Sequence, residues 1–202
     1  MKFILVAGLI GIISPHLYAA DVSTFSFNSG MNCNGVWKLP DTGQTASYTA
    51  TFGEDHDYQS AAVQPSYTVL NPVGISSVTV DNRTGLMWVT NPRTDAGFAG
   101  TQTWESALTS CTVTLNGMAY AGYTDWRLPN VRELMSIVHY GATPAPRINT
   151  TAFPGTASGY YWTSTTCVSN TTNAWYVDFS LGNVNYNSKS SNNYVRCVRG
   201  GP

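Results

Sequence analysis

The spacing of apolar and polar residues changes several times along the chain, and these changes predict its elements. An apolar run from Phe3 to Ile13 follows Lys2, and small residues stand at Ala19 and Ala20. This order is typical of a secretory signal peptide. The run is shorter than the ~20 apolar residues that a membrane-spanning helix needs. We therefore expect residues 1–20 to be a signal peptide, and no membrane span in the mature chain.

Residues 21–77 are rich in Ser, Thr and Gly and predict a β-type extension without a long helix. Within it, the run from Ala46 to Phe52 favours a strand. Val78–Val80 predicts the first strand of the main domain, which we place at residues 78–202. A turn at Asp81–Asn82 then leads to a buried strand over Gly85–Val89.

Two helices follow these strands. Thr103 is a suitable N-cap for a helix from Trp104 to about Val113. Asn130 and Glu133 have the spacing of a capping box at the start of the second helix. Its apolar stripe extends over two turns and consists of Val131, Leu134, Ile137 and Val138.

The C-terminal part has the pattern of strands and turns. Trp175, Val177 and Phe179 alternate with Tyr176 and Asp178, which predicts a strand with the first three side chains buried and the other two exposed. Further strands are expected over 161–164, 184–187 and 194–198. Two helices followed by antiparallel strands indicate an α+β fold.

Composition narrows the function classes. Charged residues make up only 10% of the chain, against ~25% in ordinary soluble domains. Without Lys2 the mature chain has nine basic and eleven acidic residues, a net charge of −2. This balance excludes a strongly basic nucleic-acid binder. Polarity comes instead from Ser, Thr, Asn, Gly and Tyr, which suit hydrogen bonding and stacking.

The segment between Val168 and Tyr194 concentrates Asn, Ser and Tyr, the residue types that dominate antibody paratopes. On adjoining strands and loops they could form one broad recognition face. The alternative is a solvated edge on which Asn and Ser serve turns. The residues expected to contact a ligand are Asn170, Asn173, Tyr176, Asn183, Asn185, Tyr186, Asn187, Ser190, Asn192 and Asn193.

An acidic run surrounds His56. Oxygen ligands as dense as those of Glu54, Asp55 and Asp57 could hold calcium. The run lacks the spacing of a known calcium loop, and Asp and Gly favour turns in any case. We therefore expect a turn here and no cofactor.

Asp125, Arg127 and Glu133 raise the question of catalysis. The structural interpretation is stronger, because Arg127 can pair with a carboxylate in two-pronged fashion and hold the loop before the second helix. The chain also lacks a nucleophile elbow, a phosphate loop and a His-Glu-x-x-His motif. We expect no catalytic residue and no enzyme.

Several stretches together resemble one known family, the C-terminal domain of the Legionella collagen-like adhesin. The match covers about residues 78–200, and its most specific part is the Trp-Arg-Leu-Pro block at 126–129 followed by Glu-Leu. The stretches that carry it are Thr84–Trp88, Asp125–Asn130, Arg132–Leu134, Tyr161–Ser164 and Val195–Arg199. The resemblance implies a C-type lectin-like fold with two helices packed on twisted antiparallel strands.

The even cysteine count of a secreted chain indicates two disulfides, with three connectivities open. The resemblance implies a bond that ties the first helix to the last strand, Cys111 to Cys197. It leaves Cys33 to pair with Cys167.

The resemblance also implies a binding protein that is secreted or displayed on the cell surface. Its expected partner is a glycan or a cell-surface or matrix protein, with no nucleic acid, and avidity would rise if the domain forms homo-oligomers as the resembled adhesin does. Three alternatives stay open. One is a receptor diversified by a retroelement on the same fold, because such systems mutate adenines and Asn codons are rich in adenine. The second is a thiol and copper oxidase similar to formylglycine-generating enzymes, and the third is a purely structural envelope or matrix protein.

Overall fold

A computed structural model describes residues 41–58, 64–71, 76–98 and 100–200 of the 202-residue chain. The predicted signal peptide and Cys33 lie outside these residues. The strands are β1 Tyr67–Leu70, β2 Val78–Asp81, β3 Met87–Val89, β4 Tyr160–Thr166, β5 Asn173–Asp178, β6 Asn183–Ser188 and β7 Val198–Arg199. The helices are α1 Trp104–Thr109, continued by a π-helix Ser110–Leu115, and α2 Val131–Met135, with 3-10 helices at Asp55–Tyr58 and Tyr120–Gly122.

The first sheet has the order β1-β2-β3-β7, and every pair is antiparallel. All three residues of β3 are buried, which confirms the buried strand predicted at 85–89. The strand expected over Ala46–Phe52 is wrong, because these residues form exposed bends. The Glu54 carboxylate accepts hydrogen bonds from the backbone N–H groups of Tyr48 and Thr49, which closes a local loop in place of a ladder.

Both helices begin at the predicted caps. The Thr103 hydroxyl accepts from the Ser106 N–H at the start of α1. Asn130 and Glu133 form a complete capping box at the start of α2. The second helix is shorter than its apolar stripe suggested, since it ends at Met135 while Ile137 and Val138 are buried in the chain beyond it.

The second sheet has the antiparallel order β4-β5-β6, and buried residues lie on both faces of β5, although Asn173 and Trp175 are half-buried. Ala174 and Tyr176 belong to the core cluster beneath α1, while Val177 belongs to the cluster that contains Leu134 of α2. The predicted exposure of Tyr176 and Asp178 is therefore wrong: they are 8% and 3% exposed. A two-residue alternation shows which side chains share a face, but it does not show that the face of Tyr176 and Asp178 is buried as well as that of Val177.

A disulfide joins Cys111 of the π-helix to Cys197, and both cysteines are fully buried. This bond is the pairing implied by the family resemblance. It links the helical layer to the strand segment that ends in β7. Mixed helices and antiparallel sheets with one disulfide confirm the α+β class.

Candidate binding surface

Strand β6 forms an edge of the second sheet. It pairs with β5 from Asn173↔Ser188 to Asp178↔Asn183, and no described strand pairs with its outer edge. Successive residues of a strand point to opposite sides of the sheet. The odd-numbered asparagines therefore lie on one side of β6 and Tyr186 on the other. We call these the asparagine side and the aromatic side.

The asparagine side carries Asn183, Asn185 and Asn187 along one line, the first two exposed and the third half-buried. Asn185 stands opposite Tyr176 in the sheet register. The Tyr176 ring is stacked on the ring of Tyr160, with centroids 4.4 Å apart, and burial raises the pKa of Tyr176. Tyr160 is 45% exposed, so a supported aromatic surface borders the asparagines.

Hydrogen bonds to the backbone orient two of these asparagines. The Oδ1 atom of Asn185 accepts from the N–H of Tyr186 at 2.8 Å, and Oδ1 of Asn187 accepts from the N–H of Ser188 at 2.9 Å. The Ser191 hydroxyl also donates to Asn187 Oδ1, at 3.2 Å. Two outward N–H groups of this edge strand, those of Tyr186 and Ser188, are thereby satisfied by the strand's own side chains.

The aromatic side centres on Tyr186, which is 49% exposed. Its ring meets that of half-buried Trp175 in a T-shaped contact, with centroids 5.6 Å apart. The two residues are partners in the β5–β6 register. Such pairs hold a ring in one orientation while its outer surface stays available.

The other predicted contact residues are scattered. Asn170 is exposed in the β4–β5 turn, where its Oδ1 accepts from the Thr172 hydroxyl, and Asn173 is half-buried at the start of β5. Ser190 and Asn192 are exposed beyond β6. Asn193 is 3% exposed, and its backbone pairs with Gln102.

The prediction of one broad face needs correction at three points. Tyr176 and Asn193 are buried, so they offer a ligand almost no contact surface. Tyr186 lies on the opposite side of the sheet from Asn185 and Asn187. What the structure brings together is a pair of smaller surfaces on the two sides of one edge strand.

The residues predicted from the sequence to contact a ligand do not include Tyr160. A signal for it was present, because Tyr160 and Trp162 alternate with Tyr161 at the start of β4. Alternation places Tyr160 on the same side as Trp162 and, through the register, on the side of Tyr176. Only the pairing of β4 with β5 shows that this side leads to the asparagines of β6.

The acidic residues Glu54 and Asp57, on either side of His56, hold a loop closed by accepting hydrogen bonds. Hydrogen bonds from the Tyr48 N–H and Thr49 hold the pKa of Glu54 below its usual range. The Ser47 hydroxyl and the Gly53 N–H do the same for Asp57. Within the described residues, no group of three or more His, Cys, Asp or Glu side chains could hold a metal ion.

Two ion pairs lie next to the second helix. Arg127 binds both carboxylate oxygens of Glu133, at 2.7 and 2.6 Å, and also donates to the Gly200 carbonyl. Asp125 pairs with Arg199 at 2.7 Å, and the Arg199 guanidinium lies over the Tyr123 ring. The two-pronged pair predicted for Arg127 is confirmed, with Glu133 as its partner.

Cys167 is a free, buried thiol at the end of β4, next to the turn that carries Asn170. A hydrogen bond with the Ser169 hydroxyl lowers the pKa of the thiol. The second disulfide expected from the cysteine count is therefore not found in the described part of the chain. Its predicted partner, Cys33, lies outside that part, so this pairing stays a prediction.

Residues 77–199 match the family model described as the Lcl C-terminal domain, which covers more than half of the chain. The chain belongs to this family. A comparison of the chain with curated proteins found no match. Among the described helices, none has the length and apolar character needed to cross a membrane.

Proposed function

We propose that this member of the Lcl C-terminal domain family is a secreted or surface-displayed bacterial binding protein of the adhesin type. Its ligand would be a glycan or a surface protein of another cell or matrix. The family supports the general class. The observation that supports the site is that β6 exposes uncharged hydrogen-bonding and aromatic side chains on both sides of a sheet edge.

The exposed aromatic rings at this sheet edge are rigidly supported. Tyr160 is stacked on buried Tyr176, and Tyr186 is packed against Trp175, so each exposed ring has a fixed support. A preformed surface loses little conformational entropy on binding. Tyr also supplies a large contact area with few rotatable bonds, and Asn supplies adaptable hydrogen bonds. The low charge of the chain favours recognition at short range over electrostatic steering.

Binding without catalysis is the second part of the proposal. The carboxylates of Asp125 and Glu133, which are the ones nearest to the family's most specific motif, pair with arginines. Those of Glu54 and Asp57 accept hydrogen bonds from loop backbone N–H groups. These partnerships account for the carboxylates in structural terms. A cofactor is not needed for recognition by stacking and hydrogen bonding.

Glycan and matrix-protein arrays probed with the mature protein test the proposal. Replacement of Asn183 and Asn185 by Ala should weaken capture if the asparagine side binds, and Tyr186→Ala should do so if the aromatic side binds. Val69→Ala is the matched control, because Val69 is an exposed residue in an edge strand of the other sheet. Capture that survives both the asparagine and the tyrosine changes would refute β6 as the site.

A diversified receptor is the second candidate, and the exposure of the β6 asparagines favours it. Substitution of Asn183 or Asn185 would leave the core intact, whereas Trp162 and Cys197 are fully buried. Deep sequencing of codons 160–200 across a cell population separates the two candidates. Substitutions concentrated at the exposed Asn codons support diversification, and a uniform sequence supports one fixed ligand.

A further inference from the structure

The amide groups of Asn185 and Asn187 are oriented by the backbone of the strand that carries them. In the β5–β6 ladder, the N–H groups of Tyr186 and Ser188 point away from β5, and each donates to the Oδ1 of the asparagine before it. A backbone N–H can only donate a hydrogen bond. The atom that faces it must therefore be the amide oxygen, which leaves the Nδ2 group of each asparagine turned away from the backbone.

This arrangement makes Asn185 and Asn187 a pair of outward-facing donors. Neither Nδ2 has a hydrogen-bond partner among the described residues, whereas Oδ1 of Asn187 already accepts two hydrogen bonds. The carboxylate on the same side, Asp178, is buried, and its Oδ1 accepts from the N–H and the hydroxyl of Ser180. At Asn185 and Asn187 a ligand therefore meets amide donors, and the nearby Asp178 carboxylate is already engaged.

The donors are also uncharged. The closest cation in sequence, Lys189, donates to the Thr166 hydroxyl and lies over the Trp104 ring, 4.1 Å from its centroid. A carboxylate or sulfate gains most from charged donors such as Arg. Neutral amide N–H groups instead suit a neutral carbonyl oxygen. The exposed Tyr160 ring, on the same side of the sheet, offers an apolar surface for a methyl group or a pyranose face.

We infer that Asn185 acts as a hydrogen-bond donor to the acetamido carbonyl of an N-acetylated sugar, whose ring or acetyl methyl packs on Tyr160, and that Asn187, further from Tyr160 along β6, donates to the neighbouring sugar unit. This inference rests on the proposed function and specifies the ligand class of the same site. It concerns sugars that present a carbonyl in addition to hydroxyl groups. Neutral hexoses without the acetamido group would bind more weakly, because they lack the carbonyl oxygen, which only accepts hydrogen bonds.

Two oligosaccharides that differ in one group test the ligand class by calorimetry. Tetra-N-acetylchitotetraose and cellotetraose share the β-1,4 backbone and differ in the acetamido substituent. Loss of one well-placed hydrogen bond at each site corresponds to about a tenfold change in affinity. We expect the acetylated oligomer to bind at least about tenfold more tightly. Equal affinities, or no binding of either oligomer, would overturn the assignment of the sugar class.

The variant Asn185→Asp tests the donor role. Aspartate keeps an oxygen for the Tyr186 N–H but replaces the outward NH₂ with a charged acceptor. We expect about a tenfold or greater loss of affinity for the acetylated oligomer. Asn71→Asp is the charge-matched control, because Asn71 is exposed after β1 and its Oδ1 accepts from the Ser77 hydroxyl. The affinity of this variant should stay within twofold, ~0.4 kcal/mol. Unchanged or tighter binding by Asn185→Asp would overturn the donor role.

A second measurement separates this inference from the proposed function. At pH values below ~4 the introduced carboxyl becomes protonated and regains a donor. Binding by Asn185→Asp should then recover, while Asn185→Ala should stay weak at every pH. If Tyr160→Ala abolishes capture on the full array while Asn185→Asp has no effect, the binding site stands and the donor role fails. If neither variant changes capture, the asparagine side itself is refuted.

Discussion

Removal of the Cys111–Cys197 disulfide should destabilise the domain severely. The bond closes a loop with a sequence separation of 86 residues. In the chain-entropy account, a cross-link of this span restricts the unfolded chain by about 4.6 kcal/mol at room temperature. Domains of this kind have total stabilities of about 5–15 kcal/mol. The double variant Cys111→Ala/Cys197→Ala should therefore lie close to the limit of folding.

Equilibrium unfolding in urea measures this loss. We would make the comparison in a Cys167→Ala background, so that no bond to Cys167 contributes to the result. In that background, the protein with Cys111 and Cys197 intact should match the double variant to within about 1 kcal/mol under reducing conditions if the cross-link, and not the packing of the sulfur atoms, carries the effect. A loss below about 1 kcal/mol in the double variant would refute the argument. It would mean that the unfolded chain is already restricted between these positions.

Three further predictions concern other contacts. Glu133→Ala removes both the capping box and the Arg127 pair, and it should lower the free energy of unfolding in urea by about 1–2 kcal/mol. Glu133→Gln keeps the capping box and should cost less than half of that. Equal losses for the two variants would contradict the role of the capping box. Arg196→Met leaves the buried carbonyls of Val89 and Thr90 without their guanidinium donor and should lower the free energy of unfolding by about 2–4 kcal/mol. An unchanged free energy would show that the core repacks around the two carbonyls. Hydrogen bonds in the folded loop hold the pKa of Glu54 below its ordinary value of 4.5. The stabilisation that the Glu54 carboxylate gives the loop is therefore fully present above the pKa of the unfolded chain, and it is lost as the pH falls through the lower pKa of the folded state. The protection of the Tyr48 amide, measured relative to the intrinsic exchange rate at each pH, should therefore fall only below that pH, and a loss of protection at higher pH would count against the carboxylate.

The sequence by itself determined the features that depend on neighbouring residues. Thr103 and the Asn130–Glu133 pair began their helices as predicted, because a cap requires only side chains within one turn of the backbone it satisfies. The strands at 78–81 and 160–166 were recognisable for a similar reason, since β-forming residues were bounded by turn residues. The α+β class followed from the order of these local elements.

Tertiary structure decided which side chains are available and which lie together. Alternation along β5 placed Tyr176 on the opposite side from Val177, but the helical layer that covers Tyr176 comes from residues far away in the chain. The register between β5 and β6 separated Tyr186 from the asparagines, and the pairing of β4 brought the unforeseen Tyr160 to their side. Local pattern fixes the direction of a side chain relative to its neighbours. Burial and assembly into a surface depend on contacts between segments that only the folded chain brings into place.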